Sequence, residues 1–201
     1  MPKGPTLLVD TSFLGDVLCA EPMVRAAARC WPARPQDFLT SPGGAEILQG
    51  HPGIREVLVF DKRGADRGMG GLRRMARELR ARGYARAICS HRSWRTAFLL
   101  RMAGIPERIG FANASGARLY TRRVPYLENG HEIERNLRLV GHTGRVRPRM
   151  FPTAEERERA AHLAPPQPFV ALAPGSIWAT KRWPAERYAE VLRSLAAEGL
   201  P

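Results

Sequence analysis

The 201-residue sequence predicts an α/β protein with a doubly wound, mostly parallel sheet. Short apolar runs without helical periodicity alternate with stretches that are apolar at every third and fourth position. Glycine, proline and aspartate separate these stretches. Polar residues, among them Asp16, His91 and Arg92, follow the ends of predicted strands, where ligands bind in open parallel sheets.

The predicted elements follow one another in the order expected for such a sheet. Strands are predicted at residues 7–9, 37–40, 57–60, 85–89, 108–111 and 169–173. Helices are predicted at residues 15–29, 45–49, 72–82, 94–103, 131–140, 154–163 and 185–198. Residues 61–71 are predicted as a glycine-rich linker, and residues 116–126 as less regular.

Individual residues support the predicted helix limits. Leu72, Met75, Ala76 and Leu79 share one face of a helix that Gly83 ends. Asp16 is compatible with an N-cap, and Pro22 predicts a kink or a restart one turn into the first helix.

Charge and cysteine content limit the possible classes of function. The formal net charge is +13, and residues 62–101 contain 12 Lys and Arg against 2 Asp and Glu. Such a cluster attracts polyanions, unless its arginines merely solvate helix faces. Three widely spaced cysteines favour a reduced, cytoplasmic protein without a structural zinc site. No run approaches the roughly 20 apolar residues of a membrane span, and residues 1–22 do not form a signal-peptide pattern.

The loop at residues 174–184 has the composition of a phosphate site. Ser176, Thr180 and Lys181 follow a predicted strand, and Pro184 suits the first turn of the next helix. Backbone N–H groups, the helix dipole and a lysine would converge there on an anion. The alternative is an ordinary strand-to-helix loop with solvated cations.

Four stretches carry a resemblance to a known family. The loop reads APGSIWATKRWP, and the N-terminal run at residues 7–22 reads LLVDTSFLGDVLCAEP. Residues 90–111 read SHRSWRTAFLLRMAGIPERIGF, and residues 131–139 read HEIERNLRL. Together they resemble the lipopolysaccharide heptosyltransferases of glycosyltransferase family 9, and most of all the heptosyltransferase II branch. We expect a GT-B fold from this resemblance, with two Rossmann-like domains. Residues 1–147 would form the acceptor-side domain, residues 148–168 a linker and residues 169–201 the incomplete start of the nucleotide-sugar domain.

The resemblance also implies a reaction and its residues. A metal-independent, cofactor-free inverting transferase would move L-glycero-D-manno-heptose from ADP-heptose to an inner-core acceptor built on lipid A and Kdo. Asp16 would be the catalytic base, and the missing side chain of Gly15 would let the acceptor approach. Ser176, Thr180 and Lys181 would bind the donor diphosphate. Arg92 and Arg95 would bind acceptor anions, with a solvated helix face as their alternative. Ala20 departs from the threonine that many family members have there.

Two other classes of function remain open at this stage. A basic module that binds nucleic acid or an anionic surface would explain the charge but not the motifs around Gly15, Asp16 and Lys181. A non-catalytic remnant would bind only the acceptor or a membrane surface. Of these classes we expect the chain to be the transferase, with peripheral contact to the anionic inner membrane and no nucleic-acid partner.

Overall fold

The computed structural model describes residues 4–164, 169–176 and 178–199. These residues fall into two compact units, the first ending at Pro152 and the second beginning at Thr153. The predicted boundaries at 147 and 169 remain predictions. Each unit is described by itself.

The first unit contains a six-stranded parallel sheet. Its strands are β1 (Thr6–Asp10), β2 (Gln36–Thr40), β3 (Glu56–Val59), β4 (Arg86–Cys89), β5 (Glu107–Phe111) and β6 (Arg122–Val124). The strand order is β3-β2-β1-β4-β5-β6. All five ladders are parallel, and β1 pairs with both β2 and β4. The order therefore reverses between β1 and β4, where open α/β sheets have their binding crevice.

Helices cover both faces of this sheet. They are α1 (Leu14–Cys30), α2 (Pro42–Leu48), α3 (Gly68–Ala81), α4 (Trp94–Met102) and α5 (Glu132–Leu139). Successive residues of a strand point to opposite faces. Accordingly, Leu7 and Val9 pack in a core cluster with residues of α3 and α4, whereas Leu8 packs in a second cluster with residues of α1 and α5. The predicted doubly wound architecture is confirmed.

Two local predictions for this unit were wrong, and a third is narrowed. Helix α1 begins at Leu14 with Phe13 as its N-cap, so Asp16 occupies the third helical position. The same helix continues through the buried Pro22 to Cys30, so it does not restart there, and the kink stays a prediction. Helix α3 begins at Gly68, four residues before the first member of its apolar stripe. A stripe marks only the buried face of a helix, and the first turn of α3 is exposed.

The end of the first unit is bound to α1 through a fully buried carboxylate. Glu21 accepts hydrogen bonds from Arg25 Nε (2.6 Å), His51 Nε2 (3.2 Å) and the Arg149 amide (2.9 Å). Arg25 also donates to the Arg147 carbonyl at 2.8 Å. The Phe151 ring packs edge-on against His51 with centroids 4.6 Å apart. Residues 147–151 are therefore part of the first unit.

The second unit contains helix α6 (Ala154–Leu163), a 3₁₀ turn (Ala179–Lys181) and helix α7 (Ala185–Ala197). Gly199, at φ +75°, follows α7 as predicted. The strand predicted at residues 169–173 is wrong for the described residues, which form no ladder there. A strand needs a neighbouring backbone to pair with, and an apolar run cannot supply one by itself. No described residue of this unit is buried.

Candidate functional site

A pocket of about 520 Å³ opens where the carboxyl ends of β1 and β4 lie side by side. Its lining is polar and comes from three segments that follow strands, together with the start of α5. The lining residues are Asp10, Ser12, Asp16, Ser90, His91, Arg92, Ser93, Asn113, Ser115 and Glu132. The topology therefore brings Asp16, the predicted catalytic base, into the same pocket as Arg92, a predicted acceptor-binding residue.

Asp16 is held by the start of its own helix. Its Oδ2 accepts the backbone N–H of Phe13 at 3.3 Å, the reciprocal half of a capping box. The described residues give its Oδ1 no hydrogen-bond partner. One carboxylate oxygen is thus used in positioning, and the other remains available to a ligand in the pocket.

Asp10 is a second carboxylate of the pocket, only 3% exposed. Its Oδ1 accepts the Ser12 amide at 3.0 Å and the Ser12 hydroxyl, and its Oδ2 accepts the Ser90 hydroxyl at 2.5 Å. Burial raises the pKa of Asp10, and the hydrogen bonds from Ser12 and Ser90 only partly oppose that shift. The Ser12 carbonyl also accepts the Ser41 hydroxyl at 3.1 Å, so the loop between β1 and α1 is fixed from both sides.

His91 belongs to a chain of polar groups behind the pocket. Thr11 Oγ1 lies 2.9 Å from His91 Nδ1 and accepts a hydrogen bond from Lys62 Nζ at 3.0 Å. Thr96 Oγ1 lies 3.2 Å from both Thr11 Oγ1 and His91 Nδ1. Three segments far apart in sequence therefore meet at one imidazole ring.

Arg92 presents its guanidinium over the Tyr126 ring, 4.4 Å from its centroid. Arg135 stacks on the same ring at 4.5 Å and pairs with Glu132 at 2.8 Å. No described carboxylate pairs with Arg92. It is therefore the pocket cation that can bind an anionic group.

Two other predicted acceptor residues have different surroundings. Arg95 does not line the pocket; its Nη2 donates to the carbonyls of Asp66 (2.7 Å) and Gly68 (3.0 Å). These bonds support the loop before α3, and acceptor binding by Arg95 remains a prediction. A Cβ added at Gly15 would meet no atom within 4 Å, so the protein itself leaves open space there.

The predicted donor residues all lie in the second unit. Ser176 Oγ accepts the Trp178 amide at 3.3 Å, and the Ser176 carbonyl accepts Arg182 Nε at 2.7 Å. Thr180 and Lys181 are exposed in the 3₁₀ turn, and the Lys181 amide donates to the Trp178 carbonyl at 2.9 Å. The hydroxyls and the lysine thus lie within one short loop that precedes α7.

Half of the cations in the basic cluster at residues 62–101 have hydrogen-bond or ion-pair partners within the protein. Lys62 binds Thr11, Arg80 and Arg95 bind carbonyls, and Arg74, Arg82 and Arg86 pair with carboxylates. The field of the cluster is therefore partly compensated by the fold. In the described part of the chain, no helix has the length and apolarity needed to cross a bilayer.

A second concave area, of about 650 Å³, lies along α2 and β3, away from the pocket. Its one arginine, Arg55, is held bidentately by Asp37 at 2.9 and 2.5 Å. Two further polar lining residues are also bound within the protein, His51 to Glu21 and Glu56 to Arg82, and we assign this area no role.

Sequence reasoning placed His91 at a strand end without a specific role, and it did not single out Asp10, Ser12 or Ser90. Each lies at or just after the end of β1 or β4, so strand ends were the signal that could have found them. No sequence signal indicated the hydrogen bond from Lys62 to Thr11, because Lys62 lies in a third segment, the one after β3.

Comparison with known proteins establishes the family. Residues 72–201 match the model of glycosyltransferase family 9 (heptosyltransferase). The chain belongs to this family. It is 28% identical over 211 residues to lipopolysaccharide heptosyltransferase 1 of Pseudomonas aeruginosa, covering 96% of this chain and 58% of that protein.

Solved structures show the same fold. A glycosyl transferase family 9 protein from Veillonella parvula has a TM-score of 0.85 at 21% identity, covering 100% of this chain and 62% of that one. E. coli heptosyltransferase WaaC with ADP-2-deoxy-2-fluoro heptose has a TM-score of 0.74 at 22% identity, covering 98% of this chain and 67% of that one. The predicted GT-B-type α/β fold is confirmed. The chain spans about three fifths of the length of the curated relative.

Proposed function

We propose that this chain is part of an inverting heptosyltransferase that moves L-glycero-D-manno-heptose from ADP-heptose to the inner core of lipopolysaccharide. The observation that carries the proposal is the pocket in which Asp16 and Arg92 meet at the switch point of a family 9 sheet. The names of the relatives support the reaction class, and the ADP-heptose analogue bound to WaaC supports the donor. The heptosyltransferase II branch stays a prediction.

In the proposed reaction Asp16 is the base. An acceptor hydroxyl gives its proton to the carboxylate as its oxygen forms a bond to the anomeric carbon of the heptose. The bond from that carbon to the diphosphate breaks on the opposite face, and ADP leaves with the bonding electrons. The Phe13 amide holds Asp16 Oδ2, so Oδ1 is the oxygen that would take the proton.

Charge on the two substrates would be met by separate groups. Arg92, with Arg95 as a further candidate, would bind phosphate or Kdo carboxylate groups of the acceptor, which suit a guanidinium. Lys181, with the hydroxyls of Ser176 and Thr180, would bind the donor diphosphate and stabilise the charge that develops on it. This arrangement requires neither a metal nor another cofactor.

The basic cluster would place the enzyme at the cytoplasmic face of the inner membrane. Its remaining exposed arginines suit an anionic surface, and contact there would be peripheral. Co-sedimentation with lipid A micelles, in the presence of competing duplex DNA at matched salt, separates this proposal from a nucleic-acid-binding module. Equal binding of DNA would favour the module.

The proposed reaction is tested with the full-length gene product, ADP-heptose and a lipid A–Kdo acceptor. Asp16→Asn should lower turnover by about 10²–10⁴-fold with little change in donor binding. Glu46→Gln, which changes an exposed carboxylate of α2 outside the pocket, is the matched control and should leave turnover unchanged. Near-normal turnover in the Asp16 variant would exclude it as the base.

A further inference from the structure

The pocket contains a histidine that none of the proposed steps uses. The polar chain from Lys62 through Thr11 reaches His91 Nδ1, with distances of 3.0 and 2.9 Å. His91 lines the pocket beside Asp16 and Arg92. Its other ring nitrogen, Nε2, has no described hydrogen-bond partner.

The donors in this chain allow its direction to be assigned. An ammonium group can only donate, so Thr11 Oγ1 accepts from Lys62. Thr11 then has one hydroxyl proton to give, and Nδ1 of His91 is its nearest acceptor. Thr96 Oγ1 lies 3.2 Å from both atoms and is the alternative partner. We assign the Thr11 proton to Nδ1, the nearer acceptor, which puts the single proton of a neutral ring on Nε2.

The surroundings of His91 keep the ring neutral. Burial lowers the pKa of His91 to about 4, together with the positive charges of Lys62 and Arg92, while Asp16 acts in the opposite direction. These three side chains come from the segment after β3, from α1 and from the segment that carries His91. Cys89 Sγ donates to the His91 carbonyl at 3.2 Å and not to the ring.

A neutral ring has a chemical advantage beside Asp16. An imidazolium would form an ion pair with the carboxylate and compete with the acceptor hydroxyl for it. A neutral N–H can instead bind an oxygen of the acceptor and leave the carboxylate free to take a proton.

We propose that His91 contacts the acceptor sugar, with Nε2–H donating a hydrogen bond to one of its hydroxyl oxygens next to Asp16. Lys62 is a positioning residue that acts through Thr11 to fix the tautomer of the ring. This inference rests on the proposed glycosyl transfer for its substrate, whereas the state of the ring can be measured without any turnover.

The first test measures the ring by NMR in the 201-residue chain with ¹⁵N-labelled histidine. We expect a neutral Nε2–H tautomer at pH 7, assigned by comparison with His91→Gln. Lys62→Met should move the titration of His91 toward its ordinary value of about 6.5, and Lys62→Gln provides a second variant if the first is poorly folded. Arg73→Met, an exposed cation of α3, should not move it. A charged ring, an Nδ1–H tautomer or an unchanged titration in both Lys62 variants would overturn the inference.

The second test measures acceptor binding in the full-length gene product. His91→Ala should raise the KM for the acceptor by about tenfold, the scale of one lost hydrogen bond, with the KM for the donor unchanged. His91→Gln retains an N–H donor at a similar reach and should restore most of the affinity. An unchanged acceptor KM in an active His91→Ala enzyme would overturn the role of His91 while leaving the proposed function intact. The proposed function is tested separately by the turnover of Asp16→Asn, so failure of the one proposal can be distinguished from failure of the other.

Discussion

Two buried carboxylates, Glu21 in helix α1 and Asp10 in the strand before it, differ in the groups that donate hydrogen bonds to them. Glu21 is bound by Arg25, His51 and the Arg149 amide, which are charged or strongly polar donors. Among the described residues, Asp10 accepts hydrogen bonds only from the amide of Ser12 and the hydroxyls of Ser12 and Ser90, and it borders the pocket. The contacts of Glu21 bind the end of the first unit to α1, whereas the contacts of Asp10 fix the wall of the pocket.

The pKa shifts of the two groups show the same difference. Burial alone would raise the pKa of Glu21, but hydrogen bonds from His51, Arg25 and Arg149 hold it below its usual value. Burial raises the pKa of Asp10, because hydroxyl donors compensate the lost hydration less completely. A buried carboxylate that has a raised pKa and borders a pocket is the type that marks functional sites.

The histidines near these carboxylates follow the same division. His51 accepts the Gly53 amide at Nδ1 (2.9 Å) and contacts Glu21 through Nε2, so both ring nitrogens are used within the protein. Within the described part of the chain, the His91 ring makes hydrogen bonds only through Nδ1, which is consistent with a role for Nε2 in ligand binding.

Among substitutions of these two carboxylates, the largest change in the free energy of unfolding is expected at Glu21. Glu21→Gln should lower the free energy of unfolding by about 3 kcal/mol, because it leaves Arg25 without its buried partner. Urea unfolding of the chain measures the change, and Glu46→Gln should differ from the parent by no more than about 0.5 kcal/mol. An equally small change at Glu21 would show that the cluster contributes little to stability.

The pH dependence of stability should separate the two carboxylates. The pKa of Glu21 is lower in the folded state, so its contribution is present above its usual value and is lost as the pH falls through the folded value. The pKa of Asp10 is raised, so its ionisation opposes folding above the folded value, and that penalty disappears as the pH falls. Urea unfolding from pH 7 to about 3 should therefore show the cost of Glu21→Gln shrinking toward low pH.

A cost of Glu21→Gln that stays constant across this range would contradict the assigned shift. The same series on Asp10→Asn provides the comparison, because any stabilisation of that variant at pH 7 should also shrink as the pH falls. A destabilisation by Asp10→Asn at pH 7 that shrinks as the pH falls, as expected for Glu21→Gln, would show that the two carboxylates do not differ as described.

The smallest effect is expected at Asp10. In Asp10→Asn the amide oxygen can still accept both Ser12 donors, while the amide nitrogen donates to Ser90, whose own proton can turn to the Val9 carbonyl at 3.2 Å. The free energy of unfolding at pH 7 should therefore change by less than about 1 kcal/mol.

Asp10→Ala, which removes these hydrogen bonds, is the reference for Asp10→Asn and should cost more by the same urea measurement. A loss above about 2 kcal/mol in the asparagine variant would mean that the charge of Asp10 itself supports the fold.

Local patterns predicted most elements within a few residues, because helix periodicity, caps and apolar runs depend on nearby residues. The limits of α5, α6 and α7 agree with the predictions within one residue. The errors occurred where distant residues decide. Residues 169–173 have the composition of a strand but pair with no described neighbour. Conversely, β6 was not predicted as a strand, and it is one because it pairs with β5.

The sequence by itself determined the alternation of strands and helices, the positive charge, and the motifs around Gly15, Asp16 and Lys181 that indicate the family. Tertiary structure decided which polar residues share a site. Thr11 and His91 are 80 positions apart, and they meet because β1 and β4 are adjacent at the point where the strand order reverses. Lys62 reaches them from a third segment, and Arg95 is directed to backbone carbonyls instead. These choices depend on distances between strand ends, which sequence spacing does not specify.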